Sequence, residues 1–125
     1  MSSHAAVRKH SHQKGFIPKD PGSISSATKA ALSKVMKLEH VLPAQYDDLL
    51  WIMAQESSGH VNAKNPHSTA RGLFQLLRNN YDLNPNGIKS FGDDVEECQG
   101  GIRYIIQRYH SARAARQFWE KHHWY

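Results

Sequence analysis

Pro43-Ala44-Gln-Tyr46-Asp-Asp-Leu49-Leu50-Trp51-Ile-Met53-Ala-Gln55-Glu56-Ser57-Ser-Gly59 is the stretch whose reading decides the fold. Proline lacks a backbone N–H and fixes φ at about −65°, so it suits the first turn of a helix. Behind it, Tyr46, Leu49, Leu50 and Met53 recur at intervals of three and four, which places them along one helical face. The spacing predicts a helix over Ala44–Gln55, with Glu56 at its end and Ser-Ser-Gly as its break.

The pattern repeats on both sides. Ser25 and Ser26 can cap a run that carries Leu32, Val35 and Met36 on one face, broken at His40-Val-Leu-Pro43. Downstream, Ser57–Arg71 has loop chemistry, a short helix is expected at Gly72–Arg78, and Asn79–Gly92 reads as loop with a turn at Asn84-Pro-Asn-Gly87. Asp93 and Asp94 each precede a glutamate by three residues (Glu96, Glu97), a capping-box pattern that opens a helix to about Tyr109. Ser111 caps a last helix with Ala112, Ala115, Phe118 and Trp119, ending near His122. No strand alternates over more than a few residues, and no internal repeat is visible. The expected class is all-α, or α with a minor β hairpin within 57–92.

A chain of 125 residues has room for one domain. That domain is expected over 25–125. Residues 1–24, rich in His, Ser, Lys, Gly and Pro, are expected to form a flexible basic arm. The charge is placed unevenly. Residues 1–40 hold seven Lys/Arg against two acids, while 41–125 hold nine of each, so the whole net charge of +5 belongs to the N-terminal third. A basic arm meets polyanions such as nucleic acid or anionic envelope polymers, or simply solvates the chain end. The body lacks a recognition helix, a zinc pattern or interleaved Arg and aromatic residues, so no nucleic-acid partner is expected.

Other classes fall away on composition. No apolar run approaches the ~20 residues of a membrane helix. The start, Met1-Ser-Ser-His-Ala-Ala-Val-Arg-Lys-His10, has no apolar core of a Sec signal peptide, so a target outside the cytoplasm would need another delivery route. The single cysteine, Cys98, cannot build a disulfide framework, and its neighbours Val95, Ile102 and Ile106 predict a buried, inert thiol. Nine histidines show no His-Glu-x-x-His spacing, so neither metal nor cofactor is expected. A monomer is expected.

Glu56 is the residue whose surroundings suggest chemistry. It is the only acid between Asp48 and Asp82, and Trp51, Ile52 and Met53 form the preceding turn. Apolar neighbours and the partial negative charge of a helix C-terminus both disfavour the carboxylate, so a raised pKa is expected. A carboxyl poised towards neutrality is what general-acid work on a glycosidic oxygen requires. A glutamate at a helix end is equally a plain surface residue.

Three ordered motifs add a family. Glu56-Ser57 is followed, after a polar loop, by Ser68-Thr-Ala70-Arg-Gly72-Leu73-Phe-Gln75. Gly101-Ile-Arg-Tyr104 leads to Arg108-Tyr109, and Phe118-Trp119 to Trp124-Tyr125. Over residues 44–125 the chain resembles the lytic transglycosylases of the lysozyme-like superfamily, in particular short phage and Gram-positive variants that include aggregation-promoting-factor-like proteins. The resemblance implies a lysozyme-like domain that cuts the MurNAc–GlcNAc bond of peptidoglycan, as a phage endolysin or virion-associated lysin acting in the wall or periplasm. A non-catalytic wall-binding module is the alternative.

The resemblance also implies roles. Glu56 would protonate the leaving oxygen and then act as base. Ser57 would position that carboxyl or the sugar's N-acetyl group, and Ser68 would belong to the substrate-binding set. Gly72 would let backbone approach the substrate, with Leu73 as core or wall. Gln75 would hydrogen-bond in the cleft, and Tyr104 would line it near Glu56. Many members carry Ala-Tyr-Asn near the final helix. Here the run is Ala114-Ala115-Arg116-Gln117-Phe118, so Arg116 or Gln117 substitutes, or that subsite differs. Trp119 and Trp124 would stack on sugars or pin the last helix to the core. A lone acid suits transglycosylation with a 1,6-anhydro product, whereas Asp82 as a second carboxylate would permit hydrolysis.

Overall fold

The computed structural model describes residues 16–125, so the expected arm over residues 1–15 lies outside the described residues. Among the described residues four α-helices carry the fold: α1 Ser26–Leu38, α2 Tyr46–Ser57, α3 Asp94–Tyr109 and α4 Ala112–His122. α1 packs on α3, α2 on α4, and α3 on α4. Among the described residues no strand forms. The described residues are mostly helical, as the all-α class expects, and no helix among them is long and apolar enough to cross a membrane.

Each boundary has a local cause. The Ser25 hydroxyl accepts from Thr28 N at the start of α1, Asp93 from Glu96 N at the start of α3, and Ser111 from Ala114 N at the start of α4. α2 starts two residues later than the periodicity suggests, because Pro43–Gln45 winds as a 3-10 turn. The Gln45 side chain then accepts from Ala112 N at 2.8 Å, so the entry to α2 also helps to cap α4. Every residue of α2 from Leu49 to Ser57 is buried. A helix enclosed on all sides is the centre of its domain. The outer ring is tied by Arg103 of α3, which grips Glu39 at the end of α1 with two bonds of 2.9 and 3.0 Å and also donates to Leu83 O.

The connection between α2 and α3 departs from expectation. No helix forms at Gly72–Arg78. Gly72 (φ +88°) and Gln75 (φ +54°) both turn left-handed, which interrupts any helical ladder. Arg71 instead exchanges two backbone bonds of 3.0 Å with Leu76. This bridge and a second one, Lys64↔Arg71, are all that appears of the expected hairpin. Short 3-10 helices occupy Arg78–Leu83 and Gly87–Ser90, where loop was expected.

Within the segment expected as an arm, Phe16, Lys19 and Ile24 touch the body, while Ile17 is exposed. Lys19 N donates to Gln55 Oε1 and Gln55 Nε2 donates to Lys19 O, both at 2.9 Å. Ile24 is buried over Gly59, and the Phe16 ring lies 5.4 Å from that of Trp119. Two apolar anchors in a polar segment are lost when composition is averaged along it. Cys98 is fully buried, and burial pushes its thiol up, as expected for an inert cysteine.

Candidate active site

Glu56 sits in the last turn of the central helix, only 6% exposed. The indole N–H of Trp119, from the middle of α4, donates to its Oε2 at 2.6 Å. Trp119 is itself buried and meets Trp51 edge-on, with ring centroids 5.3 Å apart. The Arg116 guanidinium covers the Trp51 ring at 4.6 Å and pairs with Asp48. From the other side, α3 brings Tyr104 and Tyr109. Burial pushes both phenols up, and the charge of Glu56 adds to the effect on each. Tyr125 closes this wall, edge-on to Tyr104 and stacked on Tyr109, with its hydroxyl donating to Phe74 O. The result is a buried carboxyl to which the Trp119 N–H donates, with Tyr104 and Tyr109 near enough for its charge to act on their phenols.

The other expected site residues divide. Tyr104 is buried, and its phenol is near enough to Glu56 for the carboxylate charge to act on it. Ser57 donates to Met53 O and accepts from Gly59 N, the work of a hydroxyl that ends a helix. Gln75 uses Nε2 to hold Ala63 O and Gly72 O, both at 3.0 Å. Gly72 is needed by its own neighbours. A Cβ there would lie 2.8 Å from the Phe91 ring and 2.9 Å from Glu97 Oε1. Leu73 is fully buried in the core. Ser68 is half-buried, accepts from Ala70 N and faces a separate basic recess. Gln117 is exposed in a shallow cleft with Asp48, Arg113, Arg116 and Glu120. Asp82 is exposed on the 3-10 helix after Leu77.

Two residues carry more of the site than their sequence context suggests. Trp119 was legible only as a stacking or pinning residue. Its donor reaches Glu56 because α4 packs on α2, which no local pattern reveals. Glu97, expected as part of a helix cap, is 2% exposed. It accepts from Asn62 N (3.0 Å), Leu73 N (2.7 Å) and Gly92 N (2.7 Å), gathering three loop segments onto α3. Burial raises its pKa, against the opposing pull of those bonds and of Arg71. The signal was present: Glu97, Gly101 and Tyr104 share one helical face, so an acid heads a buried stripe. Gly101 itself is forced, since a Cβ would come within 2.2 Å of the Phe74 ring.

Among the described residues no cluster of His, Cys, Asp and Glu could hold a metal ion. Comparison with protein-family models, curated proteins and solved structures gives no match for this chain.

Proposed function

We propose that this chain cuts the glycan strands of peptidoglycan, with Glu56 as general acid and then base in a lysozyme-like domain. One observation carries the reading. The glutamate that opens the Glu56-Ser57 motif is the buried carboxyl at the end of the central helix, with one oxygen fixed by Trp119 and Tyr104 alongside. In its protonated form this carboxyl can give its proton to a glycosidic oxygen. As the C1–O bond breaks, positive charge develops on the sugar. The sugar's own 6-hydroxyl then closes onto C1 and returns its proton to Glu56, leaving a 1,6-anhydro end. A lone acid suits this route, whereas hydrolysis would need a second carboxylate at a set distance from the first. Such an enzyme would work in the wall or periplasm, as a phage endolysin or virion-associated lysin.

A zymogram on purified cell wall tests the reading, with Glu56→Gln as the paired variant. The amide keeps the size of the side chain but has no proton to give. Wild type should clear the wall, and the folded variant should lose ~10²–10⁴-fold in rate. Clearing by folded Glu56→Gln would remove Glu56 from the chemistry. Retention on wall with no cleavage by wild type would favour a binding module. Mass spectrometry of the products separates anhydro ends from reducing ends, which differ by one water.

A further inference from the structure

The loop between α2 and α3 holds a feature that the proposed chemistry does not use. Between Ser57 and Gly92 the chain carries four cations, Lys64, Arg71, Arg78 and Lys89, against one acid, Asp82. Three of the four converge on one recess of about 300 Å³, which Lys64, Arg71 and Arg78 line together with Ser68, Thr69 and Tyr81. No carboxylate lines it. Arg71 shares its charge with buried Glu97. The ion pairs among the described residues join Arg103 to Glu39 and Arg116 to Asp48 and Glu120, and leave Lys64 and Arg78 out.

The recess is built on a rigid frame. Arg71 is fixed by the paired bonds to Leu76, by Nε donating to Asn62 Oδ1 at 2.8 Å, and by its guanidinium lying 4.8 Å over Phe91. Arg78 N donates to Thr69 Oγ1 at 3.0 Å, and the Tyr81 hydroxyl donates to Thr69 O. The Ser68 hydroxyl accepts from Ala70 N and keeps its own proton to give. Like charges drawn into one concavity repel, and apart from the buried Glu97 that acts on Arg71 no carboxylate lines the recess to balance Lys64 and Arg78, so an external anion is what the arrangement fits. A recess of about 300 Å³ is at the small end of ligand pockets and takes a short branched group rather than a polymer backbone.

We propose that this recess is an anionic subsite for the carboxylates of the peptide stems that the glycan carries. The inference rests on the proposed function, which supplies the substrate. The sugars of the strand are N-acetylated and uncharged, so the stem carboxylates are the anions that accompany every repeat. Arg71 and Arg78 offer planar guanidinium groups that suit carboxylate recognition, and Lys64 adds a mobile cation at the rim.

An NMR titration of the full chain with N-acetyl-L-alanyl-D-glutamate tests it, since this probe has two carboxylates and no sugar. Shifts should concentrate at the amides of residues 64–71 and 78–81, weaken with salt, and be absent with the diamide of the same peptide. The double variant Lys64→Gln/Arg78→Gln, at two exposed positions, should bind about tenfold or more weakly. It should also raise KM on stem-bearing wall while leaving stem-free glycan unaffected. Absence of shifts at the recess, equal shifts with the diamide, or equal affinity for inorganic phosphate would overturn the assignment. Because the titration needs no cleavage, its outcome is separable from that of Glu56→Gln. Peptide bound at the recess without wall cleavage keeps the subsite and removes the catalytic reading.

Discussion

The Trp119 indole donates to Glu56 Oε2 at 2.6 Å, joining the central helix to the last one across 63 residues of sequence. Neither residue is placed alone. Trp119 is packed by Trp51 from α2 and by Phe16 from the N-terminal segment, so the direction of its N–H is set by three parts of the chain. Trp119→Phe keeps much of the ring and deletes the donor. A hydrogen bond to a charged group contributes ~1.5–3 kcal/mol. Loss of that order in orientation of the acid lowers kcat by roughly 10- to 100-fold. The N–H favours the ionised carboxyl, so its loss should also move the alkaline limb of the pH–rate profile to higher pH. A lower melting temperature with an unmoved limb would reduce Trp119 to a packing residue.

Glu97 makes a different prediction, about stability. Its oxygens accept three backbone N–H groups, from Asn62, Leu73 and Gly92. In Glu97→Gln one acceptor becomes an NH₂ that confronts a backbone donor. A buried donor left unmet costs ~1–3 kcal/mol, so the variant should unfold at lower denaturant concentration. The pH dependence has a definite sign. The folded-state pKa is raised, chiefly by burial, so the folded state holds its proton to higher pH than the unfolded chain. The contribution of Glu97 is therefore complete below the unfolded carboxyl value and declines as pH rises through the folded value. Urea midpoints measured across that window should fall with pH in wild type and lose this component in Glu97→Gln. Equal slopes would show that Glu97 does not titrate there.

Gly101→Ala tests the close crossing of α3 over the loop. The added methyl would meet the Phe74 ring at 2.2 Å, and Phe74 O is the acceptor for Tyr125. Overpacking of this kind costs ~1–3 kcal/mol. Helix propensity alone favours alanine, so a variant as stable as wild type would mean that Phe74 can move aside freely.

What was legible in the sequence follows from how local each feature is. The caps Ser25, Asp93 and Ser111 bond to their own first turns, so spacing alone located the starts of α1, α3 and α4. The loop between α2 and α3 was less legible because its order comes from elsewhere. Glu97 and Gln75 bond its backbone, and left-handed Gly72 and Gln75 remove the helix expected at Gly72–Arg78. For the site, the motif pointed to Glu56, and Tyr104 was expected to line the cleft near it. Gln117 was not, because its place in a motif says nothing about which side of α4 faces the acid. That face is set by Ala112, Ala115 and Trp119, which are buried, and Gln117 points away from them.

The N-terminal segment supplies the last prediction, in which charge and packing can be separated by two truncations. Deleting residues 1–15 removes Arg8, Lys9 and Lys14 and no acid. Deleting 1–24 removes Lys19 and Asp20 as well, which cancel, so both truncations lose the same three net positive charges. Only the longer one also removes Phe16 from Trp119, Lys19 from Gln55 and Ile24 from the core. If the basic arm serves encounter with an anionic wall, the shorter truncation should slow lysis at low salt. That deficit should close as salt rises, because attraction between exposed charges is screened over ~8 Å at physiological ionic strength. The longer truncation should show the same salt-dependent deficit plus a second, salt-independent loss on wall and on short glycans alike, with a lower melting temperature. Rates of wall lysis across a salt series, read beside thermal melts, decide the matter. A shorter truncation that lyses wall at the wild-type rate at every ionic strength would remove the arm from encounter. A longer truncation that melts like wild type would show that the contacts of residues 16–24 contribute nothing to the fold.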